Sequence, residues 1–123
     1  MAGQIPRYIN SADFDSLIAA GDVDQLIAVL KRGGTRALQM DAAVALGKLG
    51  NEKAIEPLNA IIENKYEWIG TRQKAILALG EIGGAAAQKI LSQLTAYDDF
   101  YTSADIVTAI QSSARTALAL LGE

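Results

Sequence analysis

Apolar residues recur along this chain at intervals of three and four, separated by polar stretches that break the pattern. The clearest case runs from residue 52 to 63. Ala54, Ile55, Leu58, Ile61 and Ile62 share one helical face, and Glu52, Lys53, Glu56, Asn59 and Glu63 share the other, the split of an amphipathic helix with one buried side. A helix before it is predicted from Thr35 to Leu49, stopped by Gly50 as a left-handed cap residue, with Asn51 placed to cap the next helix. Pro57 either bends that next helix or marks a start later than Asn51, because proline lacks the N–H that a helix interior needs. The same pattern predicts helices near 71–82 and 85–95, with Ile90, Leu91 and Leu94 inward. Earlier in the chain Phe14, Leu17 and Ile18 mark one helix. Gly21 breaks it, Asp22 caps a second that carries Leu26, Ile27, Val29 and Leu30, and "KRGG" at 31–34 ends that one. A last helix is predicted from Ser103 to Leu121.

The pattern repeats in detail. Residues 42–50 read A-A-V-A-L-G-K-L-G and residues 75–83 read A-I-L-A-L-G-E-I-G, an offset of 33. Ala114, Ala117, Leu118, Leu121 and Gly122 write it a third time, 39 residues later. Self-similarity at a period between about 20 and 50 residues is the mark of a stacked array. The predicted fold is therefore all-α: a solenoid of about three helix pairs closed by a C-terminal capping helix. It forms a single domain over 1–123, with units at approximately 11–33, 35–64, 68–96 and 103–123. Gly47 and Gly80 fall inside helices, where glycine costs about 1 kcal/mol relative to alanine. The expected return is close packing of each such helix on the second helix of its own pair. Ala119 replaces the glycine in the last copy, after which no second helix is predicted.

These repeated residues resemble the HEAT-like repeats of the phycobilisome lyase family, and HEAT-repeat proteins generally. In that family the unit often reads V-R-x-x-A-x-x-A-L-G-x-[IL]-G-[DN]-x-x-A-[IV]-x-P-L. The resemblance is good over about 35–96, partial at 103–123 and weak at 11–33. Leu38-Gln39 stand where the pattern has Val-Arg, whereas Thr71-Arg72 keep the arginine; Pro57 is kept, and Lys89 replaces it one unit later. The resemblance implies fold more than chemistry, since the residues that repeat are those that pack. It also implies that the second helices of each pair line a concave side. Glu52, Glu56, Asn59 and Glu63 would then floor a shallow groove of mixed charge beside Ala85, Lys89, Ser92 and Ala96, with Glu56 and Lys89 as neighbours across a repeat junction. The plainer reading of those polar residues is a solvated helix face, because exposed ion pairs contribute little.

Composition narrows the chemistry. The chain of 123 residues has no Cys and no His, so disulfides, thiolate or imidazole metal sites and histidine-based nucleophile arrangements are absent. No cofactor is expected. The net charge is −3, and only Lys31, Arg32 and Arg36 cluster among the cations, which speaks against nucleic acid as a partner. No segment approaches the roughly 18 apolar residues of a membrane span. "MAGQIPRYINSADFDSL" has no apolar run of the kind a signal peptide carries. Together these predict a cytoplasmic protein with no membrane or nucleic-acid partner.

Five of the seven aromatics lie between repeats: Tyr66 and Trp68 in "NKYEWIG", and Tyr97, Phe100 and Tyr101 in "AYDDFYTSAD". Both segments join the second helix of one pair to the first of the next, so they should lie along one ridge. Edge aromatics suit protein recognition; alternatively they staple adjacent repeats, with Trp68 the better staple and Tyr97–Tyr101 the better contact. Asp98 and Asp99 do not suit an acid/base pair, because consecutive loop residues rarely face one substrate, nor a Ca2+ site, for want of ligands. A polar turn before an N-cap at Ser103 accounts for them. Asp22 and Asp24 serve a helix start. "GGAAAQK" at 83–89 lacks the strand and the Gly-Lys-Ser/Thr end of a phosphate loop.

The sequence thus predicts a small module that holds another protein through its concave face or its inter-repeat ridge. No catalytic residue set is visible. The resemblance carries an enzymatic alternative, a bilin lyase-like accessory protein or subunit, which would need an apolar cleft for a tetrapyrrole. Val107, Ile110 and Leu118 on the last helix, if exposed, would form an apolar strip suited to a homodimer.

Overall fold

The computed structural model describes residues 11–32 and 35–122. The helices are α1 (Ser11–Ala20), α2 (Val23–Arg32), α3 (Arg36–Leu49), α4 (Ile55–Glu63), α5 (Ile69–Ile82), α6 (Gly84–Thr95) and α7 (Ala104–Leu120), with a short 3-10 turn at Glu52–Ala54. There is no strand among the described residues. Side chains fix the helix starts, at Asn51 and Ser103 as expected: Asn51 Oδ1 accepts from Lys53 N at 2.9 Å and Ser103 Oγ from Ile106 N at 3.4 Å, while Thr35, just before α3, accepts from Leu38 N through Oγ1 at 3.1 Å. Gly50 closes α3 at φ 68°, a left-handed conformation that glycine adopts without strain. Pro57 resolves into the later start. Asn51 opens the 3-10 turn, α4 begins at Ile55, and Pro57 sits in its first turn, where no helical N–H is required.

The helices form an α-solenoid of two layers. The first helices of each pair, α1, α3, α5 and α7, lie side by side, and α2, α4 and α6 form the second layer, each packed chiefly on the first helix of the next pair. Between the layers run fully buried Leu26, Leu30, Leu46, Leu58, Ile62, Ile76, Leu79 and Leu91, continued into α7 by Ile110. Ile110 is therefore core, and Val107 and Leu118 are half-buried. The apolar strip expected on the free side of α7 is not continuous, because Ile110 lies in the core and Leu118 packs against it. No described helix is long and apolar enough to cross a membrane.

The helix-interior glycines have a different role from the expected one. They do not receive the second helix of their own pair; they receive the first helix of the next. A Cβ added at Gly47 would lie 3.0 Å from Ala78 Cα, and one at Gly80 would lie 2.6 Å from Ala117 O and 2.9 Å from Ala117 Cα. Ala45, Ala78 and Ala117 occupy the same place in the three copies, so the glycine of one copy receives the alanine of the following copy. Ala119, the third copy's equivalent of the glycine, is exposed. Hydrogen bonds reinforce the stack. Gln39 Nε2 donates to Leu30 O at 3.3 Å, Arg72 Nε to Ile62 O at 2.9 Å, and Gln111 Nε2 to Tyr97 O at 2.8 Å. These donors are 33 and 39 residues apart, in repeat register. Each ties the C-terminal end of a second-layer helix, or the loop just after it, to the next first-layer helix, satisfying a carbonyl that the helix leaves free.

Denaturant unfolding reads three expected changes in stability. Gly80→Ala destabilises by about 1–3 kcal/mol despite alanine's better helix propensity, because the added methyl meets backbone. Ala119→Gly costs about 1 kcal/mol through propensity alone. Thr71, fully buried with Oγ1 unpartnered, gains about 1 kcal/mol on replacement by valine, since an unpaired hydroxyl is removed from the interior.

Candidate functional site

Two loops, 64–68 after α4 and 96–103 after α6, lie next to each other at one edge of the stack. Each is folded by its own polar residues. In the first, Asn64 Oδ1 accepts from Tyr66 N at 3.0 Å and Glu67 Oε1 from Trp68 N at 3.0 Å. In the second, Asp99 is the hub: its carboxylate accepts from Tyr101 N at 3.1 Å, Thr102 Oγ1 at 2.8 Å and the Tyr97 hydroxyl at 3.4 Å. Across the gap Lys65 Nζ meets the same carboxylate at 2.8 Å, and the Asp99 side chain is only 11% exposed. The hydrogen bond from Lys65, followed by those from Thr102 and the Tyr101 amide, holds the Asp99 carboxyl well below the usual carboxylate range. The same bond, with the charge behind it, raises the Lys65 ammonium. Asp99 is thus more than a turn former: it clamps two successive inter-repeat loops into one ridge.

The ridge aromatics divide into two groups. Trp68, 42% exposed, lies over Gly70, where a Cβ would come within 2.7 Å of ring atom Cζ3. The Arg36 guanidinium sits 5.3 Å from the Trp68 ring centroid, so this ring bridges the starts of α3 and α5 by a cation–π contact. Tyr97 is half-buried against the core and so less open than the other ridge aromatics. Tyr66 at 99% exposure, and Phe100 and Tyr101 at 92% each, are the free ones. Phe100 and Tyr101 pack edge to face with centroids 5.3 Å apart.

Three open clefts adjoin at the ridge. One of about 320 Å³ has Ile62, Arg72, Leu94, Tyr97 and the acidic Glu63 and Asp98 in its walls. A second, of about 350 Å³, lies between Tyr66 and Tyr101 with Lys65, Arg72, Thr102 and Ser103. The third, of about 380 Å³, reaches from Tyr97 and Asp98 to Asn59 and Glu63 at the end of the α4 face. The remaining expected groove residues Glu52, Glu56, Lys89 and Ser92 are exposed and line none of these clefts. Asn59 Nδ2 donates to Glu63 Oε1 at 3.2 Å within α4. Glu56 and Lys89 are not ion-paired; a cross-pair contact is made instead by Lys53 and Asp24 at 3.4 Å. Among the described residues no group of carboxylates is arranged to hold a metal ion.

Lys65 and Arg72 are the site residues that sequence reasoning did not single out. Arg72 was marked by its register with Gln39, as the arginine that the repeat pattern keeps. Lys65 carried no signal, because its partner lies a whole repeat away.

A comparison with curated proteins finds no match. A family model described as HEAT repeats matches residues 23–111, most of the chain. The matched span contains both A-L-G glycines and all three register donors, the features that build the stack, and the chain belongs to the HEAT-repeat family.

Proposed function

We propose that this protein is an interaction module that grips a partner protein with its inter-repeat ridge. The observation that carries the reading is that Tyr66, Phe100 and Tyr101 stand almost fully exposed on two loops held together by the Lys65–Asp99 pair. Exposed aromatics on loops already ordered suit recognition, since little conformational freedom is lost on binding and Tyr is enriched at hot spots. The polar face of α4 and α6 offers less, because it is solvated and has no apolar anchor. A homodimer through α7 has less to build on, since Ile110 is buried and Leu120, 55% exposed, is the large apolar residue left on that helix. The lyase alternative calls for a cleft that buries most of a planar tetrapyrrole. The ridge clefts are open, and five of the eight residues around the first are charged, which favours a polypeptide. Added bilin that gains visible absorbance and quenches Trp68 would reverse that preference.

The test is affinity capture from the native host followed by mass spectrometry. The expected result is a co-purifying protein whose recovery drops about tenfold or more for Phe100→Ala with Tyr101→Ala, in line with loss of hot-spot aromatics. Recovery that is unchanged by these replacements and falls for Glu52→Ala with Glu56→Ala would transfer the function to the groove.

The clamp has a defined pH range. Asp99's lowered pKa contributes stability that is fully present above its ordinary value of 3.8 and is lost as pH falls through the depressed one. Lys65's raised pKa contributes stability that is fully present below its ordinary value of 10.5 and is lost as pH rises through the raised one. Amide exchange in 64–68 and 96–103 should therefore be protected evenly across neutral pH, after correction for intrinsic rates. Asp99→Asn should remove that extra protection at every pH while leaving the α3–α5 core unchanged.

A further inference from the structure

Arg72 is 4% exposed, yet its guanidinium is only partly used. Nε donates to Ile62 O at 2.9 Å, and the two terminal nitrogens have no acceptor among the described residues. The same side chain lines both the cleft of about 320 Å³ and the one of about 350 Å³. The terminal nitrogens are not among the buried, unpartnered atoms, so they open onto the clefts, and a planar N–H pair at the base of a cleft matches a carboxylate.

Resting on the reading of the ridge as a protein-binding surface, we propose that Arg72 anchors an acidic side chain of the partner, taken into the cleft between Tyr66 and Tyr101. Three features favour that cleft and that ligand. Its one carboxylate, Asp99, is already engaged by Lys65, Thr102 and the Tyr101 amide, so it does not compete for Arg72. Ser103 supplies a further hydroxyl donor in the wall, its oxygen only accepting from Ile106 N. The neighbouring cleft carries Glu63 and Asp98, and the charge of Lys65 is balanced by Asp99, so a single-charged carboxylate is better accommodated than a doubly charged phosphate. The flanking tyrosines would close over the aliphatic part of an Asp or Glu side chain and exclude water from the ion pair, which strengthens it.

The repeat itself provides the control. Gln39 and Gln111 make the same helix-to-carbonyl bond with an amide that Arg72 makes with Nε. Arg72→Gln therefore preserves the structural bond and removes the charged edge. The experiment titrates the full 15N-labelled chain with N-acetyl-glutamate N-methylamide, its glutamine counterpart and inorganic phosphate. The carboxylate compound should saturably shift the Arg72 Nε–H and the amides of Tyr66, Tyr101 and Thr102. The glutamine compound should act at least about tenfold more weakly, as loss of a charged hydrogen bond implies, and Arg72→Gln should abolish the difference while its unfolding midpoint stays near that of the parent. Equal responses to the two compounds, no response to either, a stronger response to phosphate, or unchanged carboxylate binding by Arg72→Gln would each overturn the assignment. Partner capture that is lost in Phe100→Ala with Tyr101→Ala but intact in Arg72→Gln would also overturn it, and would leave the ridge reading standing.

Discussion

First-layer helices approach each other closely in this molecule, where the glycine of one repeat copy meets the alanine of the next. At Gly80 the space is so small that a single methyl would collide with the Ala117 backbone. That contact sets the spacing of α5 and α7, and the contact of Gly47 with Ala78 does the same for α3 and α5. The second-layer helices fall into the furrows so created, and the buried leucines and isoleucines fill the space between. Helix propensity is given up at two positions so that backbones can pack at short range, a trade that tertiary contacts routinely impose on local preference.

The spacing has consequences at the edge of the stack. Each second-layer helix ends near a side-chain donor of the following first-layer helix: Gln39, Arg72 and Gln111 in chain order. These bonds set where one helix ends and the connecting loop begins. The loops at 64–68 and 96–103 consequently emerge from equivalent places and lie side by side, close enough for Lys65 to reach Asp99. The second loop is longer than the first, and the added length carries Phe100 and Tyr101. Variation between repeats is thus concentrated where the chain leaves the packed layers, as expected for loops on a rigid scaffold.

Much of this was readable from the residues. Helix positions followed from the three-and-four spacing, and Asn51, Ser103 and Gly50 marked boundaries because capping chemistry is local. What the sequence withheld was the identity of neighbours. Spacing along one helix shows that Gly47 needs a close partner, but not whether that partner is α4 or α5. The same limit applied to Ile110, whose face of α7 could be assigned only once α5 and α6 were in place. Asp99 looked like one half of a turn because its most informative contact is with Lys65, 34 positions earlier. Arg72 was visible as a repeat feature, but its unfilled charge was not, since burial and the shape of a cleft are properties of the assembled stack.

Backbone contacts fix the helix spacing, side-chain donors fix the helix ends, and the Lys65–Asp99 ion pair fixes a ridge of exposed aromatics. On our proposal that ridge, and not the polar face of α4 and α6, is the surface a partner covers. Hydrogen–deuterium exchange on the chain alone and in its captured complex tests this most directly. New protection is expected in 64–68 and 96–103, with 52–63 and 85–92 unchanged. Protection confined to 52–63 and 85–92, with the aromatic loops exchanging as before, would contradict it.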